Sequence, residues 1–157
     1  MPRITPNLWF DTESEEAAAF YVSVFPNSAV KSTTYYGDAG PRPAGMVLAV
    51  EFLLDGQEFI AINGGPQFTF SEAVSFLITC ADQAEIDYYW DALTDGGEEG
   101  PCGWLTDKYG LSWQVAPAGM DAMLSDPNDE RGQRAMRAMF AMKKIDIAVL
   151  HAAADGA

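Results

Sequence analysis

The sequence predicts an α+β fold made of two strand-helix-three-strand (βαβββ) modules followed by a helical extension, and three observations carry that expectation. Short runs alternating apolar and polar residues, each bounded by turn formers, mark strands in two groups of four. A Thr or Asp followed three residues later by Glu stands ahead of an apolar stripe of helical period at two places, Thr12/Glu15 and Asp82/Glu85. Beyond Pro117 the composition shifts to Met, Ala and Arg, as a helical extension requires.

Residues 4–10 form the first predicted strand, with Ile4, Leu8 and Phe10 on one face and Thr5, Asn7 and Trp9 on the other. A helix over 13–25 follows. Ala17, Phe20, Tyr21 and Val24 recur at helical spacing, and Pro26 with Asn27 stops it. Strands are expected at 29–36, 45–54 and 58–63, with Asp55 and Gly56 as the tight turn between the last two. The loop 37–43, rich in Gly and Pro, reads equally as a mobile flap or a passive connection.

The pattern then restarts. Residues 74–80 read as a strand, and Ile86, Tyr89, Trp90 and Leu93 form a helical stripe that ends at Gly96 and Gly97. Short strands follow at 98–102, 103–108 and 111–116. The extension should hold helices at 120–124 and 128–142 and a last short one after Asp146. Its Met136, Met139 and Met142 with Phe140 read as core or dimer packing. A shift of 70 positions aligns Phe10 with Cys80, Thr12 with Asp82, Glu15 with Glu85, Phe20 with Trp90 and Asn27 with Gly97 without a gap, the signature of an internal repeat. We therefore expect one domain over 1–157, with module one at 4–64, module two at 74–117 and the extension at 118–157.

Composition narrows the function classes. With 48% hydrophobic residues the 157-residue chain can fill a core, and a net charge of −14 without any Lys/Arg run disfavours nucleic acid and anionic membranes as partners. Residues 1–10 lack the charged start and apolar core of a secretory signal. Cys80 and Cys102 lie in unlike contexts, so a cytoplasmic protein with reduced thiols is expected. Cys102 is a reactive thiol only if Lys108 lowers its pKa; a buried inert cysteine is the simpler reading. His151 is the sole histidine, which leaves no Ser-His or Cys-His pair for nucleophilic catalysis. The adjacent carboxylates Glu15/Glu16 and Glu98/Glu99 point apart and read as solvated charge.

Several strings resemble one branch of a known superfamily: Pro6-Asn7-Leu8-Trp9-Phe10, Glu16-Ala17-Ala18 with Phe20-Tyr21, Asn63-Gly64-Gly65-Pro66, Cys102-Gly103-Trp104-Leu105, and the most specific, Asp107-Lys108-Tyr109-Gly110-Leu111-Ser112-Trp113-Gln114. The chain resembles the PhnB-like group, labelled demethylubiquinone methyltransferase, of the glyoxalase, bleomycin-resistance and extradiol-dioxygenase (vicinal oxygen chelate) superfamily. That resemblance implies two βαβββ modules curled around a cavity, homodimerisation, and a divalent metal held by the first and fourth strands of each module. The positions it points to hold Thr5 or Asn7, Asn63, Ser75 and Gln114, none of them His, Asp or Glu. Neutral amides and hydroxyls alone rarely hold a divalent ion, so no metal site is expected.

What remains is a polar and aromatic set, Asn7, Trp9, Asn63, Ser75, Trp104 and Gln114, with Gln67 just beyond. Amides and indoles can orient an uncharged or planar ligand without a metal. Trp9 and Trp104 as core filling, with Gln114 bonded to backbone, is the open alternative. The expected function is therefore metal-independent binding of a small molecule, with no cofactor. A metal-dependent lyase, isomerase or dioxygenase with unexpected ligands is the alternative. The methyltransferase of the family label is a third, although no glycine-rich strand-helix turn suited to S-adenosylmethionine occurs.

Overall fold

A computed structural model describes all 157 residues. It contains two four-stranded mixed sheets with helices, in two compact units, Met1–Thr69 and Phe70–Ala157.

The first unit comprises β1 (Asn7–Phe10), α1 (Ser14–Val24), β2 (Ala29–Tyr35), β3 (Val47–Leu54) and β4 (Gln57–Asn63). Its sheet order is β1-β4-β3-β2, with β1 parallel to β4 and the other pairs antiparallel. Alternation sends Leu8, Phe10, Val50, Phe52, Leu54, Phe59 and Ala61 into the core, and Ala17, Ala18, Tyr21 and Val24 of α1 are buried with them. Tyr21 stacks on Phe52 (ring centroids 6.5 Å apart), and Phe52 on Phe59 (5.6 Å). Burying each such ring contributes roughly 1.5–3 kcal/mol, which makes this aromatic column the main anchor of helix on sheet. Asp55 and Gly56 both take positive φ (46° and 78°), as the two-residue hairpin between β3 and β4 demands.

Two expectations here are corrected. The first strand starts at Asn7, and Ile4 is 96% exposed rather than core-facing; Pro6, which has no N–H, precedes the ladder and contributes only its carbonyl, to Ile60 N–H at 3.0 Å. Nor do Thr12 and Glu15 form a capping pair. Glu13 is the cap residue, without a side-chain cap bond, and the buried Ser14 N–H donates instead to Asn63 Oδ1 at 2.9 Å. The loop 37–43 is tied at both ends. Tyr36 N–H donates to Met46 O and Gly45 N–H to Tyr36 O, both at 2.8 Å, while the Arg42 guanidinium binds the Asp11 carbonyl and, at 3.1 Å, its carboxylate.

The second unit repeats the plan with β5 (Ser75–Cys80), α2 (Gln83–Thr94), β6 (Glu98–Glu99), β7 (Trp104–Thr106) and β8 (Ser112–Pro117), in the order β5-β8-β7-β6. Parallel and antiparallel pairs fall in the same places as in the first sheet. Here the capping pair forms: Asp82 accepts Glu85 N–H at 3.0 Å, and Glu85 accepts Ala81 N–H at 2.7 Å. Ile86, Trp90 and Leu93 are buried, as are Leu105, Trp113 and Val115 of the sheet. β6 is two residues long instead of five, because it lies between Gly97 and the turn at Gly100 and Pro101.

The extension folds as α3 (Met120–Leu124), α4 (Glu130–Phe140) and α5 (Ile147–Asp155). It is bonded to its own unit through Gln83, whose amide donates to Ile145 O and accepts Ile147 N–H, each at 2.9 Å. In the methionine stripe Met139 is buried with Gly132 and Ala135, Met136 and Met142 are half-buried, and Phe140 is 63% exposed. No helix is long and apolar enough to cross a membrane.

Candidate functional site

Each sheet has a side covered by its helix and a helix-free face, and strand register assigns every candidate to one or the other. In the first unit Asn7 pairs with Ile60 and Trp9 with Ile62, so both candidates lie on the helix-free face. Asn7 is exposed. Trp9 is half-buried, its indole N–H donating to Gly65 O at 2.9 Å and its ring meeting Phe68 edge-on at 5.0 Å. Gly64 makes that approach possible, since a Cβ there would stand 2.4 Å from the indole.

Asn63 is placed on the opposite, helix-covered side, 2% exposed. Its Oδ1 accepts Ser14 N–H (2.9 Å), its Nδ2 donates to Val47 O (3.0 Å), and its carbonyl accepts the Tyr36 hydroxyl (2.6 Å). The side chain caps a helix and locks β4 to β3, leaving no group for a ligand.

Ser75, Trp104 and Gln114 share the helix-free face of the second sheet. Gln114 lies between Leu77 and Trp104, and Gln114 Nε2 donates to Ser75 Oγ at 2.9 Å. One step along, Ser75, Ser112, Thr106 and Glu98 form a continuous cross-strand row on that face. Ser112 is 1% exposed, and its Oγ has no hydrogen-bond partner. At the β6 side of this sheet lies a hollow of about 400 Å3 lined by Trp104, Thr106, Leu105, Cys102, Glu72 and Glu98 among others. Ser112, Thr106, Glu72 and Glu98 escaped the sequence reading. For Ser112 a signal existed, since period-2 alternation from Gln114 sets both on one face.

The specific string 107–114 has a structural meaning. Buried Asp107 accepts Tyr109 N–H (2.8 Å) and Leu111 N–H (3.1 Å) on Oδ1, and the Trp113 indole N–H (2.9 Å) on Oδ2. Gly110 supplies the positive φ of 88° that the turn needs. One carboxylate thus shapes the β7-β8 connection and orients the residue before Gln114. Both cysteines are free. Burial pushes the Cys80 thiol up to about 11, with Glu85 and Asp82 adding to the rise. Burial also pushes up Cys102, so Lys108 does not activate it; that ammonium lies over the Tyr109 ring, 5.5 Å from its centroid.

A sequence profile described as 3-demethylubiquinone-9 3-methyltransferase matches residues 2–116, all but the last residue of the two modules. The chain belongs to this family. A PhnB protein from Bacillus cereus that carries the family's methyltransferase name is 37% identical over 74% of this chain and 100% of its own, with a TM-score of 0.67. Protein PA1353 from Pseudomonas aeruginosa (20% identity, 74% and 98% coverage, TM-score 0.62) and the fosfomycin resistance protein FosX from Listeria monocytogenes (15%, 78% and 96%, TM-score 0.55) share the fold. No curated protein sequence is significantly similar to the chain. The family match bears out the resemblance to the PhnB-like branch of the glyoxalase (vicinal oxygen chelate) superfamily, and the FosX likeness shows the shared fold.

The superfamily's metal can be tested against the donors present. Asn63 has its amide committed on both sides, and Ser75 and Gln114 are bonded to each other. No three His, Cys, Asp or Glu side chains come together as a potential metal site. This donor set does not fit a divalent ion, which binds through carboxylate, imidazole or thiolate.

Proposed function

We propose that the protein binds a small organic molecule without a metal ion, on the helix-free face of the second-unit sheet. The observation that supports this most is the alignment of half-buried Ser75, Trp104 and Gln114 on one face beside a hollow of about 400 Å3, a size within the usual range for ligand pockets. The indole provides a stacking surface, and the amide keeps acceptor capacity beyond its bond to Ser75. Asn7 and Trp9 offer a similar amide and indole in the first unit. Methyl transfer is disfavoured because neither strand-helix turn, Asp11-Thr12-Glu13 nor Ala81-Asp82, contains the glycines that let a nucleoside cofactor such as S-adenosylmethionine approach the backbone.

A thermal-shift screen of aromatic and amide-bearing compounds, run with and without chelator, tests the proposal. A ligand at a hundred times its Kd stabilises the fold by about 2.7 kcal/mol, and the shift should survive chelation. Loss of the shift on chelation, together with stoichiometric metal by elemental analysis, would favour a metal-dependent lyase, isomerase or dioxygenase instead. Homodimerisation in the cytoplasm is part of the same proposal, supported by the exposed Phe140 and Val149 of the extension. Light scattering that returns the mass of one chain would refute the dimer.

A further inference from the structure

We propose that the second-unit hollow selects an organic cation, an alkylated or aryl-substituted ammonium whose apolar body rests on the Trp104 indole while Glu98 and Glu72 neutralise its charge. This rests on the reading that this sheet binds a small molecule, and adds the ligand's charge class.

Two features point the same way. The wall is apolar where a ligand body would lie, at Trp104 and Pro101, and an indole face attracts cations through its quadrupole. The charged groups lining the hollow are all carboxylates: Glu72, Glu98 and Glu99, with no Lys, Arg or His. Glu99 is occupied by the Trp90 indole N–H at 3.0 Å and by Lys143 at 3.8 Å. Glu72 and Glu98 enter no ion pair, so their charge is available to a ligand, in a chain whose net charge of −14 already draws cations.

The first unit provides the contrast. Its small hollow of about 100 Å3 is also lined by charged groups, but there Arg3 and Lys31 pair with Glu58 at 2.8 and 3.0 Å, and Ser32 bonds Glu51. That hollow is electrostatically closed. The one at Trp104 is not.

The full chain is titrated by calorimetry with benzyltrimethylammonium, with choline against its uncharged shape mimic 3,3-dimethylbutan-1-ol, and with phenylacetate. The indole N–H resonance of Trp104 and alkylation of Cys102 report occupancy; Cys80 is fully buried and does not interfere. The expected result is saturable cation binding that protects Cys102, with choline roughly tenfold tighter than the alcohol and no binding of phenylacetate. The E72Q/E98Q pair, both exposed positions, should weaken the cations about tenfold without changing the melting temperature. Equal affinity for choline and the alcohol, or unchanged cation affinity in E72Q/E98Q, overturns the proposal. If neutral aromatic amides move the Trp104 resonance while the cations do not, the charge class is wrong and small-molecule binding stands. If no probe of any charge moves it, both fall.

Discussion

Replacing Asp107 with Asn should cost about 3 kcal/mol, a large effect for a change of one atom. In the native protein this carboxylate, 3% exposed, accepts from Tyr109 N–H, Leu111 N–H and the Trp113 indole. Hydrogen bonds to a charged acceptor are worth about 1.5–3 kcal/mol each, and neutral ones about 1. An asparagine can keep its carbonyl toward the two backbone amides, as weaker neutral bonds. Its NH2 then faces the Trp113 N–H, donor against donor, and a buried unsatisfied donor adds about 1–3 kcal/mol. Urea titration is the assay. With a slope of about 2 kcal/mol/M, the midpoint should fall by about 1.5 M. Trp113→Phe removes the opposing donor, so in that background Asp107→Asn should cost at least about 1 kcal/mol less. Equal costs in the two backgrounds, or a midpoint shift under about 0.3 M, would refute this account of the 107–114 string.

Other perturbations separate structural from ligand-facing roles. Asn63→Ala leaves the buried Ser14 N–H without its acceptor and should lower stability by roughly 2–3 kcal/mol in thermal unfolding. A lining residue would change ligand affinity at little cost in stability. Gly97→Ala places a Cβ 2.2 Å from Thr106 O, a backbone atom that cannot yield, so β6 should unpair and stability fall by roughly 2 kcal/mol or more; Gly37→Ala, with open space around it, should stay within about 0.5 kcal/mol by the same measurement. For Cys80 the sign is fixed by a folded pKa raised from 9.0 to about 11. The unfolded thiol ionises first, so the contribution is complete below pH 9 and lost as pH rises toward 11, on the order of 2–3 kcal/mol. Cys80→Ala should flatten the stability-pH curve across that window, and an unchanged slope would contradict it.

The sequence was most legible where structure is local. The Asp82/Glu85 cap, the Asp55-Gly56 turn and the Asp146 cap on α5 each depend on residues within about one turn of each other, and all formed. The Thr12/Glu15 pair carries the same local signature and failed, because an amide 49 positions away reaches the helix first. Face assignments were harder. β4 is apolar on both sides, with Phe59 and Ala61 toward α1 and Ile60 and Ile62 away, so hydropathy could not say which side Asn63 took. The hollow at Trp104 was hidden for another reason. Glu98 and Glu72 look like solvated charge until register and chain path bring them beside an indole.

Duplication itself explains part of what the two sheets offer. At the step where β1 meets β4, Asn7 lies opposite Ile60; at the corresponding step of the second unit, Leu77 on β5 lies opposite Gln114 on β8. Each helix-free face therefore carries one amide and one aliphatic side chain at that step, and the amide has moved from the outer strand to the inner one. A chelating pair would need a strong donor on both strands of the step. One amide beside one aliphatic group instead provides a single hydrogen-bonding point on an apolar floor, which under the proposed function would orient a ligand whose body is held by contact area. In the second unit the next strand adds Trp104 opposite Gln114, extending that floor with an indole, whereas in the first Trp9 is held down by Gly65 and Phe68. The halves are alike in topology but unequal as sites: the second leaves its indole beside a hollow, while the first bonds and covers its own.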